Sequence, residues 1–75
     1  MKSFPVPYTD HQIEVDTLRR VVMLYLNAWN RDSSATPDET YTFEALRSDR
    51  GLMVAVTAML AGSDAAEVER LVATG

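Results

Sequence analysis

Apolar positions in the first half of this chain recur at helical spacing. With residues placed every 100°, Val15, Leu18, Val22, Tyr25, Leu26 and Trp29 share one face, and Gln12, Asp16, Arg19, Arg20, Asn27 and Asn30 share the other. The pattern predicts an amphipathic helix over residues 10–31, about 33 Å long at 1.5 Å per residue. Thr9 would cap it, with Gln12 closing a capping box. Val21, Leu24 and Ala28 widen the apolar arc of its second half to roughly 200°, about twice the stripe of a surface helix, so that half should be covered from two sides. Ahead of it, Pro5 and Pro7 fix their own φ and push Phe4 and Val6 out of the helical region, which makes residues 1–8 an extended arm.

The second half is more punctuated. After a polar linker at 32–35, Thr36, Pro37 and Glu39 form a helix-start signature, predicting a helix over 37–47. A short strand at 40–45 competes with it, because Tyr41, Phe43 and Ala45 alternate with Thr40, Thr42 and Glu44. Ser48 would cap a third helix running to Ala61 and ended by Gly62. Its stretch LMVAVTAMLA is apolar on every side except Thr57, the pattern of a segment buried all round at the centre of a core. Ser63 would cap a last helix with Ala65, Val68, Leu71 and Val72 as its stripe. The expected architecture is all-α: a small bundle of about four helices, with helix 1 long and helix 3 central. It forms a single helical domain over 9–75 behind the arm at 1–8.

With 75 residues, no cysteine and one histidine, the chain has neither disulfides nor a plausible metal cage to reinforce a small core. Oligomerisation is the remaining route. The start lacks the apolar run of a signal peptide, and the runs at 21–26 and 52–56 are far shorter than the roughly 20 residues of a membrane span. The expectation is a cytoplasmic protein without membrane contact. The net charge of −4 is uneven: residues 1–31 hold four cations against three acids, and 32–75 hold three against eight. That second half would repel a phosphate backbone.

Residues 58–72, AMLAGSDAAEVERLV, have the spacing of a helix-turn-helix unit, with Gly62 as turn glycine, Ala58 at the close approach, and Val68 and Leu71 inward. The outward residues of the second helix are Asp64, Glu67, Glu69 and Arg70, a poor set for bases and phosphates. If 40–45 is a strand, the strand-helix-helix order resembles the ribbon-helix-helix repressors, which would put Thr40, Thr42 and Glu44 in the major groove. No basic residue stands among them.

Chemistry is scarce. His11 and Glu14 share a helical face but lack further ligands for a tetrahedral metal. No serine sits in a nucleophile elbow, and Gly51, Gly62 and Gly75 are too far apart for a phosphate loop. The sequence therefore predicts a non-catalytic protein without cofactor. It would be a protein-protein interaction or regulatory accessory protein, acting as a homodimer through Val22, Tyr25, Leu26 and Trp29, or on an unidentified protein partner. The alternative is a dimeric DNA-binding regulator of helix-turn-helix or ribbon-helix-helix type, its basic patch assembled from Arg19, Arg20, Arg31, Arg47 and Arg50.

Overall fold

The structure, a computed structural model, describes residues 1–28 and 36–75. Four strands, β1 (Lys2–Pro5), β2 (Gln12–Asp16), β3 (Val21–Tyr25) and β4 (Glu39–Thr42), form an antiparallel sheet in the order β1-β2-β3-β4. Three helices follow: α1 (Phe43–Ser48), α2 (Arg50–Thr57) and α3 (Gly62–Thr74). This is an α+β fold, not an all-α helical bundle.

The long first helix is replaced by a hairpin, and the residues show why. Gln12–Asp16 reads polar, apolar, polar, apolar, polar, and the β-branched Ile13 and Val15 are completely buried. Residues 17–20 then reverse the chain. Asp16 Oδ1 accepts the backbone N–H groups of Leu18 and Arg19 at 3.0 and 3.1 Å, and Arg20 takes a left-handed φ of 61°. The reversal sets Val15 opposite Val22 and Ile13 opposite Leu24. Val15 and Val22, which helical spacing had grouped on one face, thus meet as cross-strand neighbours. Leu18, in the middle of the supposed stripe, stands 95% exposed at the hairpin tip.

Thr9 does not cap a helix either. Its hydroxyl accepts the N–H of His11 and donates to the carbonyl of Val6, a local turn that competes with helix formation. The arm is extended as expected but paired: Lys2 lies opposite Val15 and Phe4 opposite Ile13, and Phe4 is buried.

Strand and helix divide the contested segment at 37–47. Glu39–Thr42 pairs with β3, and α1 begins at Phe43. Thr42 is its N-cap, accepting the N–H of Ala45 at 3.1 Å. The next helix is capped by Asp49, whose carboxylate accepts the Leu52 N–H, and it stops at Thr57. It is not buried all round, since Met53 and Val56 face the core while Val54 is 48% exposed. The last helix starts at Gly62 with Ala61 as a cap that makes no side-chain bond, so Ser63 lies inside it and the turn occupies 58–61. Its stripe does pack inward: Val68 and Val72 are buried, and Ala65 and Leu71 rest against the core. That core lies between one face of the sheet and the three helices, with Phe43, Ile13, Leu46, Val15, Val22 and Val68 as its largest enclosed side chains.

Candidate functional site

One end of the sheet carries a feature that packing does not account for. Residues 6–9 make a type II turn: the Thr9 N–H donates to the Val6 carbonyl at 3.2 Å, Pro7 holds the second position, and Tyr8 takes the third with φ 62°. That third position requires a left-handed residue, normally glycine or asparagine, because a Cβ there crowds the backbone. The Tyr8 side chain meets nothing of its own molecule, with a relative exposure of 106%. Val6, by contrast, is anchored in the core.

The turn is braced on both sides. Val6 N–H donates to the His11 carbonyl at 3.1 Å, and the Thr9 hydroxyl donates to the Val6 carbonyl at 2.8 Å. The exit of β3 then clasps the hairpin. Asn27 N–H donates to His11 Nδ1 at 3.1 Å, and Ala28 N–H to the Asp10 carbonyl at 2.8 Å. With its amide nitrogen turned toward Asp10, Asn27 also reaches both carboxylate oxygens at 3.1 and 3.2 Å. Asp10 Oδ1 lies 3.5 Å from His11 Nδ1. Because Nδ1 accepts the Asn27 N–H, its lone pair is engaged, and we read that approach as a neighbour contact rather than an ion pair.

The residues expected at a helical interface are scattered by the sheet. Val22 is 1% exposed and belongs to the chain's own core. Leu26 packs partly against that core. Alternation along β3 puts Tyr25 on the opposite sheet face, half-buried, its hydroxyl 3.8 Å from Met23 Sδ. Burial raises the Tyr25 phenol above its ordinary pKa, the Glu14 carboxylate adds to the rise, and Arg19 opposes it. Trp29 and Arg31 lie outside the described residues, as does the linker at 32–35.

The remaining arginines fall in two places. At the β2–β3 tip, Arg19 faces Asp16 at 3.7 Å and Arg20 faces Glu44 at 3.1 Å. Arg47 and Arg50 line an open groove of about 230 Å³ between the helices, floored by Leu46, Met53 and Val72. Arg47 donates to the carbonyls of Val72 and Gly75, both at 2.8 Å, and Arg50 pairs with Glu69 at 2.7 Å. Glu67 on α3 is drawn inward too, meeting Arg70 and, at 3.8 Å, Lys2.

Sequence reasoning missed Tyr8 by treating 1–8 as an arm. The signal was present: a proline followed by Tyr-Thr-Asp between apolar residues is turn chemistry. Among the described residues, no cluster of three or more His, Asp or Glu is placed to hold a metal, and no helix is long and apolar enough to cross a membrane. Compared with known protein families, curated proteins and solved structures, the chain matches none.

Proposed function

We propose that this protein is a non-catalytic protein-protein interaction module, a small regulatory or accessory protein whose contact element is the turn at 7–9. One observation carries the reading: Tyr8 is held in a left-handed conformation on a braced turn with its ring wholly in solvent. Such a residue costs folding energy and returns no burial within its own molecule, so its use lies outside it. Tyrosine is among the side chains that dominate interface energetics, and a turn already fixed by hydrogen bonds loses little freedom on docking. The partner that fits is a protein with an apolar-walled cleft deep enough for a phenol ring.

A protein partner is favoured over nucleic acid because Arg19, Arg20, Arg47 and Arg50 each face an acceptor within the chain. A phosphate would have to compete with those acceptors. The reading is tested by placing a photo-crosslinking phenylalanine analogue at position 8, with position 18 as an equally exposed control. Discrete protein adducts from position 8 that are absent from position 18 are expected. Indistinguishable adduct patterns from both positions would overturn the proposal.

A further inference from the structure

The β1–β2 connection and the exit of β3 are joined by a bond that one protonation state of a side chain can make and the other cannot. The Asn27 N–H donates to His11 Nδ1 at 3.1 Å. An imidazole nitrogen accepts only while it carries no proton, so the ring is neutral here and its proton sits on Nε2. We infer that this bond is a proton-operated clasp: when His11 takes up a proton in mild acid, Nδ1 releases the Asn27 N–H and turns to the Asp10 carboxylate. The inference goes beyond the contact reading of Tyr8 and does not depend on it.

The alternative partner is already in place. Asp10 Oδ1 lies 3.5 Å from Nδ1, a neighbour of the neutral ring and an ion-pair partner for the charged one. A proton on Nδ1 would meet the Asn27 N–H donor against donor, so the two cannot keep their present positions. With its amide nitrogen turned toward Asp10, the Asn27 side chain holds both carboxylate oxygens, at 3.1 and 3.2 Å. An imidazolium competes for those oxygens, so one proton acts on the backbone and the side-chain contacts of Asn27 together. The His11 side chain is 33% exposed, which lets solvent deliver that proton without unfolding.

Among the described residues, Asp10 is the charged group within ion-pair distance of the ring. The β3 exit packed against it contributes the uncharged Asn27, and Asp38, in the residue before β4, accepts the Leu26 N–H at 2.8 Å, one residue ahead of the clasp. The bonds around the clasp that involve no titrating atom remain: Ala28 N–H to the Asp10 carbonyl at 2.8 Å, and Val6 N–H to the His11 carbonyl at 3.1 Å. Release is therefore local. It frees Asn27, whose left-handed φ of 54° suits asparagine but loses its main-chain anchor, and it loosens the β3 exit rather than the sheet.

The experiment is a nuclear magnetic resonance titration of the whole chain labelled with nitrogen-15, in which the single histidine makes the imidazole signals unambiguous. At neutral pH the ring nitrogens should report the Nε2–H tautomer. From about pH 7.5 to about pH 5, the Asn27 amide shift should follow the imidazole with one midpoint. Its protection from hydrogen exchange should fall at least about tenfold, while the Thr9 amide, bonded to the Val6 carbonyl, keeps its own. His11→Asn supplies an oxygen that does not titrate and should hold the Asn27 amide across the range, whereas His11→Phe removes the acceptor and should leave that amide unprotected throughout. Should either variant fail to fold, the wild-type titration decides alone. An Nδ1–H tautomer at neutral pH, an imidazole still neutral at about pH 5, or an Asn27 amide unmoved while the ring titrates overturns the inference. None of these outcomes bears on the crosslinking test at position 8.

Discussion

At the scale of single residues, the backbone of Tyr8 sets two quantities against each other. A left-handed L-residue costs roughly 1–2 kcal/mol, whereas glycine in the unfolded chain costs roughly 0.5–1 kcal/mol more entropy. Tyr8→Gly should therefore raise the unfolding free energy by up to about 1 kcal/mol, measured by urea denaturation. A clear loss of stability would mean that the ring supports the fold. Two other tyrosines make the protein sensitive to alkali. The Tyr25 phenol is pushed up by burial and Glu14, and that of Tyr41 by burial and by the neighbouring Glu39. Because the folded state holds both protons more tightly, their stabilisation is complete below the unfolded value of about 10 and declines as pH rises through the folded values. Denaturation between pH 9 and 11.5 should show that slope, and the double variant Tyr25→Phe, Tyr41→Phe should flatten it.

At the scale of elements, short polar contacts decide where strands turn and helices begin. Asp16 is nearly buried and holds the β2–β3 reversal through Leu18 and Arg19. Asp16→Ala should cost about 1–3 kcal/mol, whereas Asp16→Asn, which keeps the acceptor oxygen, should cost less. Thermal unfolding of the two variants would separate them, and equal losses would show that the side-chain acceptor is not what holds the turn. On the helical side, Arg47 reaches across from α1 to the last carbonyls of α3, satisfying groups that a helix leaves unpaired. Arg47→Met keeps the stem and removes the donors. It should lower stability by about 1–2 kcal/mol and speed amide exchange over the last turn of α3; unchanged exchange there would refute the capping role.

At this same scale the sequence was partly legible. The inward stripe of the last helix followed from spacing alone, because every residue from Ala65 to Val72 lies in one uninterrupted helix. An alternation also runs through 12–16, but a longer helical pattern, an artefact of symmetry, masked it. A hairpin with a four-residue loop places positions equidistant from residues 18–19 side by side, so Val15 and Val22 share a face in either structure. The discriminating feature was Leu18, which a helix would bury and the hairpin leaves at its tip.

For the whole molecule, the margin is small. A chain of 75 residues is expected to hold about 4–11 kcal/mol of stability at 0.05–0.15 kcal/mol per residue. Phe43, completely buried where the sheet passes into α1, joins the two layers; its N–H also bonds the Arg20 carbonyl at 2.9 Å. Phe43→Ala should remove about 3–5 kcal/mol and leave much of the chain unfolded at 37 °C, seen as loss of near-ultraviolet circular dichroism. Retention of a cooperative transition near the wild-type temperature would show that sheet and helices are held together elsewhere.

What the sequence determined by itself was local. It set the apolar side of the last helix, the extended character of the first residues, and the polar residues available to stop and start elements. The tertiary structure decided which local pattern prevailed. The stretch at 10–28 satisfies both a helical and a strand period, and only pairing with β1 and β4 makes the strand form bury Ile13, Val15, Val22 and Leu24 together. The position of Tyr8 was decided in the same way. Its type II turn exists because Val6 is anchored in the core and the β3 exit is bonded to Asp10 and His11, contacts between residues far apart in the chain.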